Sequence, residues 1–390
     1  MTTRRWLLCA LVAARAAAVS AGENPGTTAA PVLQLPIGAR AVGMGCAYTA
    51  LSDDSSAMYY NPAGLSSLSH HEVAFMYMKG FEDQKLEHIA AAVPMPFGLI
   101  GDYATLGVSG LFSQNGTIEV NRTKADGSFL SQQTLSAGSD MVGAVSYSER
   151  VANMDVRAGK KDYRLDHLLG ITGKMIRSTL AETYSASAAA FDLGYLLKAP
   201  EAGLSLGASL LNAGSKMTFV SVGDPLPLTT RFGAAFSPAI PETTLPASQS
   251  LTFAADGEYL MHEEQWHMNF GAEYSAWRNY AVRLGYRFHR EAAGLTFGFG
   301  AAWRGLGIDY AWAMSDDLTD VHRFSVTYRF GKLTSRRRET QRRPFIEPEN
   351  IPESDDLQDI EQRRPESLDE PERPRRTPSD RPKVAPGWIY

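Results

Sequence analysis

Apolar and polar residues alternate with a period of two over most of the sequence, from about residue 72 to residue 330. The segment 280–288 shows the pattern clearly. Its apolar set is Tyr280, Val282, Leu284, Tyr286 and Phe288, and the residues between them are Ala281, Arg283, Gly285 and Arg287. Because successive side chains of a β-strand point to opposite faces, the pattern predicts strands with one apolar and one polar face.

About fourteen such segments are predicted, an even number, as is usual in bacterial barrels. They lie near residues 72–79, 86–93, 99–112, 141–149, 167–178, 182–197, 202–212, 228–236, 249–260, 266–275, 280–288, 295–303, 308–314 and 322–330. Two polar stretches interrupt the series. Residues 113–138 are predicted to form a long loop or hairpin, and residues 150–166 a second polar loop.

Many segments are about ten residues long, which is the length that a tilted strand needs to cross the hydrocarbon of a bilayer. Aromatic residues begin and end several apolar faces, as at Tyr280 and Phe288. These features predict an all-β fold, a transmembrane antiparallel β-barrel of about 14 strands. A soluble β-sandwich stays open as an alternative, because alternation does not tell whether lipid or a second sheet covers the apolar face.

The N-terminal region precedes the alternating segments and divides into two parts. Arg4 and Arg5 are followed by an apolar stretch over residues 6–19, and Ala21 ends a run of small residues. This layout predicts a secretory signal peptide over residues 1–21. Residues 22–70 do not alternate but contain many Gly and small residues, which suits a compact plug against the inner faces of the barrel over residues 71–332. Once the signal peptide is removed, only Cys46 remains, so no intramolecular disulfide is possible.

Residues 333–390 differ in composition from the rest of the chain. They are rich in Arg, Glu, Asp and Pro and contain few apolar residues. Such a segment buries too little apolar surface to offset its ordering entropy, so a disordered periplasmic tail is predicted. Its mixed charges favour a solvated tail, and binding of a periplasmic protein partner is the alternative.

Composition and motifs argue against several functional classes. The net charge of −5 does not favour nucleic acid as a partner. The eight His residues are scattered, and neither the H-E-x-x-H motif nor a Cys/His zinc spacing occurs. The sequence therefore predicts no metal, no cofactor and no enzymatic activity.

Two groups of residues are candidates for a functional site. Glycines of the plug permit tight turns and close backbone approach, an acidic residue caps a short helix over residues 55–60, and an Asn-Pro pair ends that helix. The candidate residues for ligand binding or gating in this segment are Gly43, Gly45, Asp53, Asp54, Asn61, Pro62 and Gly64. The predicted lumenal charges are Arg283, Arg287, Asp309, Arg323 and Arg329. These arginines either bind a carboxylate ligand or pair with lumenal Asp and Glu residues, and the latter is commoner for buried charges.

Residues 38–65 carry a more specific signal than alternation. They read GARAVGMGCAYTALSDDSSAMYYNPAGL. This resembles the N-terminal signature of the FadL/PorV superfamily of outer-membrane β-barrels, GxRxxGMGGA followed by DDxxAxYYNPAGL. Cys46 stands where the family usually has Gly. Residues 190–195, 206–214 and 308–311 also match, and the chain is most similar to a group of uncharacterised spirochaete FadL-like barrels.

The resemblance implies an outer-membrane protein of a diderm bacterium, a fourteen-stranded barrel with an N-terminal hatch in its lumen. FadL-like barrels transport long-chain fatty acids or other hydrophobic solutes past the hatch and out through a gap in the wall. Membrane lipids and a hydrophobic solute are then the expected partners. The PorV branch implies an alternative function, a platform that binds exported proteins during secretion.

Overall fold

The computed structural model describes residues 26–80, 83–159, 161–239, 249–277, 279–288, 294–315 and 319–332. The predicted signal peptide and the predicted tail lie outside these residues. Within them, fourteen antiparallel strands form a closed barrel, so the predicted fold class is confirmed.

Each predicted segment overlaps one strand of the barrel. The barrel strands are β1 (His70–Lys79), β2 (Gln84–Met95), β3 (Tyr103–Asn115), β6 (Gly138–Ala158), β7 (Lys161–Leu180), β8 (Tyr184–Ala199), β9 (Leu204–Gly214), β12 (Thr229–Phe236), β13 (Ser250–Leu260), β14 (Gln265–Ala276), β15 (Tyr280–Phe288), β16 (Leu295–Trp303), β17 (Leu306–Ala313) and β18 (Val321–Lys332). The remaining strands form two small ribbons, β4 (Thr117–Thr123) with β5 (Phe129–Ser136) and β10 (Met217–Thr218) with β11 (Gly223–Asp224).

Pairing of β1 with β18 closes the barrel, for example at Phe75 opposite Val326. His70 begins β1 and Lys332 ends β18, and both lie at one end, which we call the termini end. The β4–β5 ribbon extends from the opposite end, which we call the hairpin end. The prediction of a loop or hairpin over residues 113–138 is confirmed as this ribbon.

The prediction of a polar loop over residues 150–166 is wrong. β6 continues to Ala158 and β7 begins at Lys161, so the two strands form a ribbon that extends past the termini end of the barrel. Charged residues such as Arg157 and Asp162 made the stretch look like a loop, but they face one another across the ribbon. The apolar residues alternate with them and share the other face.

The outer face of the barrel is apolar. Phe75, Val108, Val145, Phe232 and Val282 are each more than 40% exposed. Exposed aromatic residues lie towards both rims: Trp277, Tyr280, Trp303, Tyr328 and Phe330 near the termini end, and Phe112, Tyr184, Trp266 and Phe288 near the hairpin end. An apolar band between two aromatic girdles matches the profile of a bilayer. Among the described residues no helix is long and apolar enough to span a membrane.

Residues 26–69 lie inside the barrel and contact strands around its whole circumference. Four short helical segments order this part of the chain: 3-10 helices Pro31–Gln34 and Pro62–Ser67, and α-helices Ala39–Gly43 and Ala57–Tyr60. Tyr48, Tyr60 and Leu65 are fully buried. The principal apolar core of the molecule therefore lies in the lumen, between this luminal segment and the inner wall.

Candidate functional site in the barrel lumen

The luminal segment contacts one flank of the wall, strands β14–β16, backbone to backbone. A Cβ atom on Gly43 would lie 2.9 Å from the Cα of Gly298. A Cβ atom on Gly45 would lie 2.6 Å from the carbonyl oxygen of Phe270, and Gly45 has a φ of 63°, which disfavours other residues. Gly285 faces Gly45 from β15 without space for a side chain. Paired glycines thus let the segment lie directly on the wall.

Asn61 joins the segment to the opposite flank, strands β7–β9. Its side-chain nitrogen donates to the carbonyl oxygens of Thr49 at 2.9 Å and Tyr195 at 3.0 Å, and its side-chain oxygen accepts from the amide of Ala63 at 3.2 Å. Asn61 is fully buried. A Cβ atom on Gly194 would collide with its side chain. Asn61 therefore both orders the chain locally and attaches it to the wall.

The residues next to Asn61 pack as tightly. Pro62 is the first residue of its 3-10 helix, where the missing N–H costs nothing, and it ends the preceding helix at Tyr60. Gly170 of β7 lies against the backbone of Pro62 and Ala63, with no room for a Cβ atom. Gly64 lies equally close to the backbone of Ser52.

A network of ion pairs joins the segment to the wall towards the termini end. Arg40 contacts Asp53 within the segment and Glu273 of β14, the latter at 3.1 Å. Arg283 of β15 contacts the same Glu273 at 2.6 Å and Asp309 of β17 at 2.7 Å. Arg40 also lies 3.8 Å from Asp54, so each guanidinium has at least two carboxylate partners, and Glu273 bridges the two arginines.

Tyr48 and the two aspartates order the segment around Arg40. The hydroxyl of Tyr48 accepts from Arg40 at 2.9 Å and donates to Asp54 at 2.6 Å. Asp54 also accepts from the amide of Ser56 at 3.0 Å and so orders the turn before the helix Ala57–Tyr60. Burial acts to raise the pKa of Asp53, but the attraction of Arg40, with a smaller contribution from Lys198, outweighs it and lowers that pKa below its ordinary value.

Glu72 and Arg329 form a second ion pair near the same end, at 2.7 Å. The carboxylate of Glu72 is buried and accepts from the amide of Ser55 at 2.6 Å. A polar cavity of about 410 Å³ opens here between the segment and strands β14–β18, and Arg40, Glu273, Arg283 and Arg329 contribute to its lining.

The charges towards the hairpin end are arranged differently. Arg231 of β12 pairs with Glu258 at 3.0 Å and lies over the ring of Tyr60 at 5.2 Å. Arg323 of β18 is 5% exposed. The ionisable groups nearest to it are those of Cys46, Tyr59, Tyr60 and Arg287. Among the described residues no carboxylate pairs with Arg323, and its Nε atom has no hydrogen-bond partner.

Beginning directly beside Arg323, the inner wall at the same level is apolar: Met78 of β1 is the cross-strand neighbour of Arg323, and the apolar surface continues from there round to β8. Strands β1, β2, β3, β6, β7 and β8 contribute Met78, Leu86, Leu111, Val142, Ile176 and Ala186 to a single buried cluster. Val32, Leu33 and Ile37 of the luminal segment complete the cluster. The hydroxyls of Tyr59 and Tyr60 donate to the carbonyl oxygens of Leu33 and Ile37 and hold this stretch in place. The lumen near the hairpin end thus has a cationic side and an apolar side.

The wall itself is irregular between β8 and β9. The pairing register shifts beside Asp192, and Asn212 of β9 has a φ of 62°. Asp192 accepts from the amide of Asn212 at 2.7 Å and pairs with Lys174 at 2.7 Å, so a buried polar cluster stabilises the irregularity.

An apolar groove of about 650 Å³ lies on the outer face of the same strands. Leu169, Leu193, Leu210 and Phe232 line its sides, and Gly170, Gly194 and Ser209 contribute to its floor. Because Asn61 and Pro62 lie directly behind these glycines, only strand backbone separates the groove from the luminal segment.

The structure brings the predicted plug residues together in the lumen but separates the predicted arginines. Arg283 and Arg329 belong to the network at the termini end, whereas Arg287 and Arg323 lie towards the hairpin end. Sequence reasoning did not single out Arg40, Glu72 or Arg231 as site residues. The alternation of residues 229–236 places Arg231 on the inner face of β12, so the sequence does contain the information needed to identify it as a lumenal charge.

Nothing in the described part of the chain points to a metal centre, since no three His, Cys, Asp or Glu residues are clustered there. Residues 203–207 match the spacing G-x-S-x-G, but Ser205 lies inside β9 rather than at a turn between a strand and a helix.

Comparison with known proteins gives one family match. An uncharacterised protein family, UPF0164, matches residues 8–98, less than a quarter of the chain. No curated protein matches the sequence.

Solved outer-membrane barrels are similar at low identity. The deltaS2 mutant of the monoaromatic hydrocarbon channel TodX is 11% identical, with a TM-score of 0.44, over 75% of this chain and 98% of that one. A Pseudomonas aeruginosa FadL homologue is 12% identical, with a TM-score of 0.38, over 74% and 98%. Omp33 of Acinetobacter baumannii is 7% identical, with a TM-score of 0.37, over 67% and 98%. The barrel assignment rests on the strand pairing of this chain itself.

Proposed function

We propose that this protein is an outer-membrane channel for hydrophobic solutes that carry a carboxylate, with long-chain fatty acids as the substrate class. The apolar outer face supports a membrane location, and the filled lumen supports gated rather than open passage. The observation that carries the proposal is the position of Arg323, a buried cation without a carboxylate partner among the described residues, next to an apolar stretch of the inner wall.

The energetics favour a ligand at this position. A buried guanidinium without a counter-ion loses several kcal/mol of solvation, which a bound carboxylate recovers. A hydrogen bond to a charged group contributes about 1.5–3 kcal/mol. The apolar side of the lumen is suited to the alkyl chain, and each buried CH₂ group contributes about 0.8 kcal/mol. An amphiphile with one anionic end satisfies both sides at once.

Entry of the alkyl chain requires part of the luminal segment to move. Val32, Leu33 and Ile37 now fill the apolar side, held by the two tyrosine hydroxyls. Val32, Leu33 and Ile37 contact the wall through apolar side chains, whereas Gly43 and Gly45 pack against it backbone to backbone and Asn61 is hydrogen-bonded to it. Residues 29–37 are therefore the part of the gate that moves on entry in this proposal, and the residues that follow stay attached to the wall until the solute leaves.

The exit in this proposal is the wall of β7–β9. Its irregular register at Asp192 and its thin glycine floor coincide with the outer apolar groove. Exit would require Asn61 to release the carbonyl of Tyr195 and β8 to separate from β9 beside Asp192, where the pairing register already shifts. The alkyl chain would then reach the groove and, from it, the lipid phase.

A binding titration tests the proposal. The full chain in detergent micelles is titrated with a fluorescent long-chain fatty acid, and Arg323→Gln is compared with Arg329→Gln. Both arginines lie on β18, but Arg329 is already paired with Glu72. We expect saturable binding that Arg323→Gln weakens by roughly 10–100-fold, the loss of one charged hydrogen bond, and that Arg329→Gln changes little.

Two further variants locate the path. Arg287→Ala tests the neighbouring arginine, and Asn61→Ala tests the contact of the gate with the wall. Absence of fatty-acid binding by protein with intact β-structure, measured by circular dichroism, would overturn the lipid proposal. The alternative of a platform for exported proteins would then be the one to test.

A further inference from the structure

The ribbon formed by β6 and β7 has an open edge beyond the barrel. β3 pairs with β6 only as far as Tyr103 opposite Arg150, so β6 has no second neighbour from Val151 to Ala158 among the described residues. Alternate residues of a strand direct their N–H and C=O groups away from the paired neighbour. These groups form no hydrogen bond to any described residue on that side.

The two edges of the ribbon are not equivalent. On the β7 side, the carboxylate of Glu201 accepts from the amide of Arg164 at 3.0 Å, and β8 pairs with β7 from Asp166 onward. On the β6 side, residues 152–157 are all exposed. This edge contains neither proline nor lysine, and its two charged residues, Asp155 and Arg157, lie opposite Arg164 and Asp162 of β7. The pairing of β6 with β7 shifts register between Arg150 and Ala152.

The two faces of the ribbon differ in polarity, and this determines which side chains an incoming strand would contact. Met154 and Val156 are 48% and 44% exposed, and they lie opposite Leu165 and Tyr163. The other face carries charged residues that compensate one another: Asp155 opposite Arg164, and Arg157 opposite Asp162. An incoming strand would therefore meet an apolar row on one face and a charge-balanced row on the other.

We propose that the edge of β6 over residues 151–158 is a docking site for an extended polypeptide strand of a partner protein at the termini end of the barrel. The unpaired backbone groups determine the chemistry of the partner, because only another extended backbone satisfies them in register. A bound partner strand would lie beside β6 where β3 would lie if it extended beyond Tyr103 past the end of the barrel. Eight residues at about 3.3 Å each give an edge of roughly 26 Å, enough for a strand of ordinary length. This interaction goes beyond the proposed transport and does not depend on it.

A peptide probe tests the docking site on the full chain in lipid nanodiscs. The probe is a fluorescent eight-residue peptide of alternating valine and threonine, and a second version carries N-methyl groups on alternate amides. We expect saturable binding of the first peptide, measured by fluorescence anisotropy, and at least about tenfold weaker binding of the second, since N-methylation removes the backbone donors.

Edge variants provide the matched comparison. Met154→Lys with Val156→Lys places charges along the docking edge, and Val120→Lys places one on the β4–β5 ribbon at the hairpin end. We expect the double variant to weaken binding at least tenfold and Val120→Lys to leave it unchanged, with heat-modifiable gel mobility showing that each barrel is folded. Equal binding of both peptides, or of the double variant and the unaltered chain, would overturn the proposal.

Two other occupants of the edge give distinct results. If lipid covers the apolar row, an environment-sensitive dye at position 154 reports an apolar environment in nanodiscs without peptide, which would overturn the proposal. If residues 333–390 of the same chain occupy the edge, removing them raises peptide affinity severalfold. That result would identify the chain's own tail, rather than a partner protein, as the polypeptide that occupies the edge. Unchanged affinity after the removal supports an external strand.

Discussion

The two charge clusters of the lumen differ in whether every arginine has a carboxylate partner. Towards the termini end, Arg40, Arg283 and Arg329 each contact at least one carboxylate, with Glu273 bridging the first two. Towards the hairpin end, Arg231 has Glu258, but Arg323 has no carboxylate partner among the described residues. Balanced buried charge contributes to holding elements in one arrangement, whereas unbalanced buried charge is a cost that a ligand can remove. The first cluster therefore fixes the luminal segment, and the second is suited to binding.

Removing the bridge of the balanced cluster should have the largest effect. Glu273→Gln leaves Arg40 and Arg283 each with one carboxylate fewer in a largely buried site. We expect the free energy of unfolding to fall by on the order of 3 kcal/mol, the usual cost of breaking a buried pair. Urea titration in micelles measures it, and Glu264→Gln, an exposed turn residue, is the control. Equal stability of the two variants would show that the network does not hold the segment.

Glycine packing is the second contribution to this attachment, and its loss should cost less. Gly170→Ala forces a Cβ atom against the backbone of Pro62 and Ala63, so we expect a loss of about 1–3 kcal/mol. Gly173→Ala, three residues along β7, has no atom within 4 Å of the new Cβ and should change stability by less than about 0.5 kcal/mol. The same urea titration compares them. If Gly170→Ala left the free energy of unfolding unchanged, the ion pairs alone would account for the attachment of the segment.

Acidification should produce the smallest effect on the balanced cluster. Arg40 lowers the pKa of Asp53, so the folded state favours the ionised carboxyl more than the unfolded state does. The resulting stability is present above the ordinary carboxyl pKa and is lost as the pH falls through the lowered value. Asp53 is 39% exposed, so the effect should be modest. Unfolding midpoints at pH 7 and pH 3 should differ less for Asp53→Asn than for the unaltered chain, and an equal difference would contradict this role.

Much of the fold follows from the sequence because strand alternation is local. The segment 280–288 identifies its own inner and outer faces without knowledge of any neighbour. The same reasoning failed at residues 150–166, where charged residues that pair across two strands resembled a loop. Cross-strand pairing is a property of register, which a single strand does not reveal.

The candidate site is less predictable because it depends on where the luminal segment lies. Alternation places Arg283 and Arg323 equally on the inner face, yet only Arg283 is reached by Asp309 and Glu273. Arg40 belongs to a recognisable motif, but its contact with Glu273 joins residues 233 positions apart. The irregularity at Asn212 is likewise visible only once β8 and β9 are paired.

The central claim is that Arg323 binds a carboxylate while the adjoining apolar wall binds an alkyl chain. The most direct measurement compares the dissociation constants of hexadecanoate and hexadecanol for the full chain and for Arg323→Gln at neutral pH. We predict that the unaltered chain prefers the acid by at least about tenfold and that Arg323→Gln loses this preference while still binding the alcohol. An unchanged preference for the acid in Arg323→Gln would contradict the account.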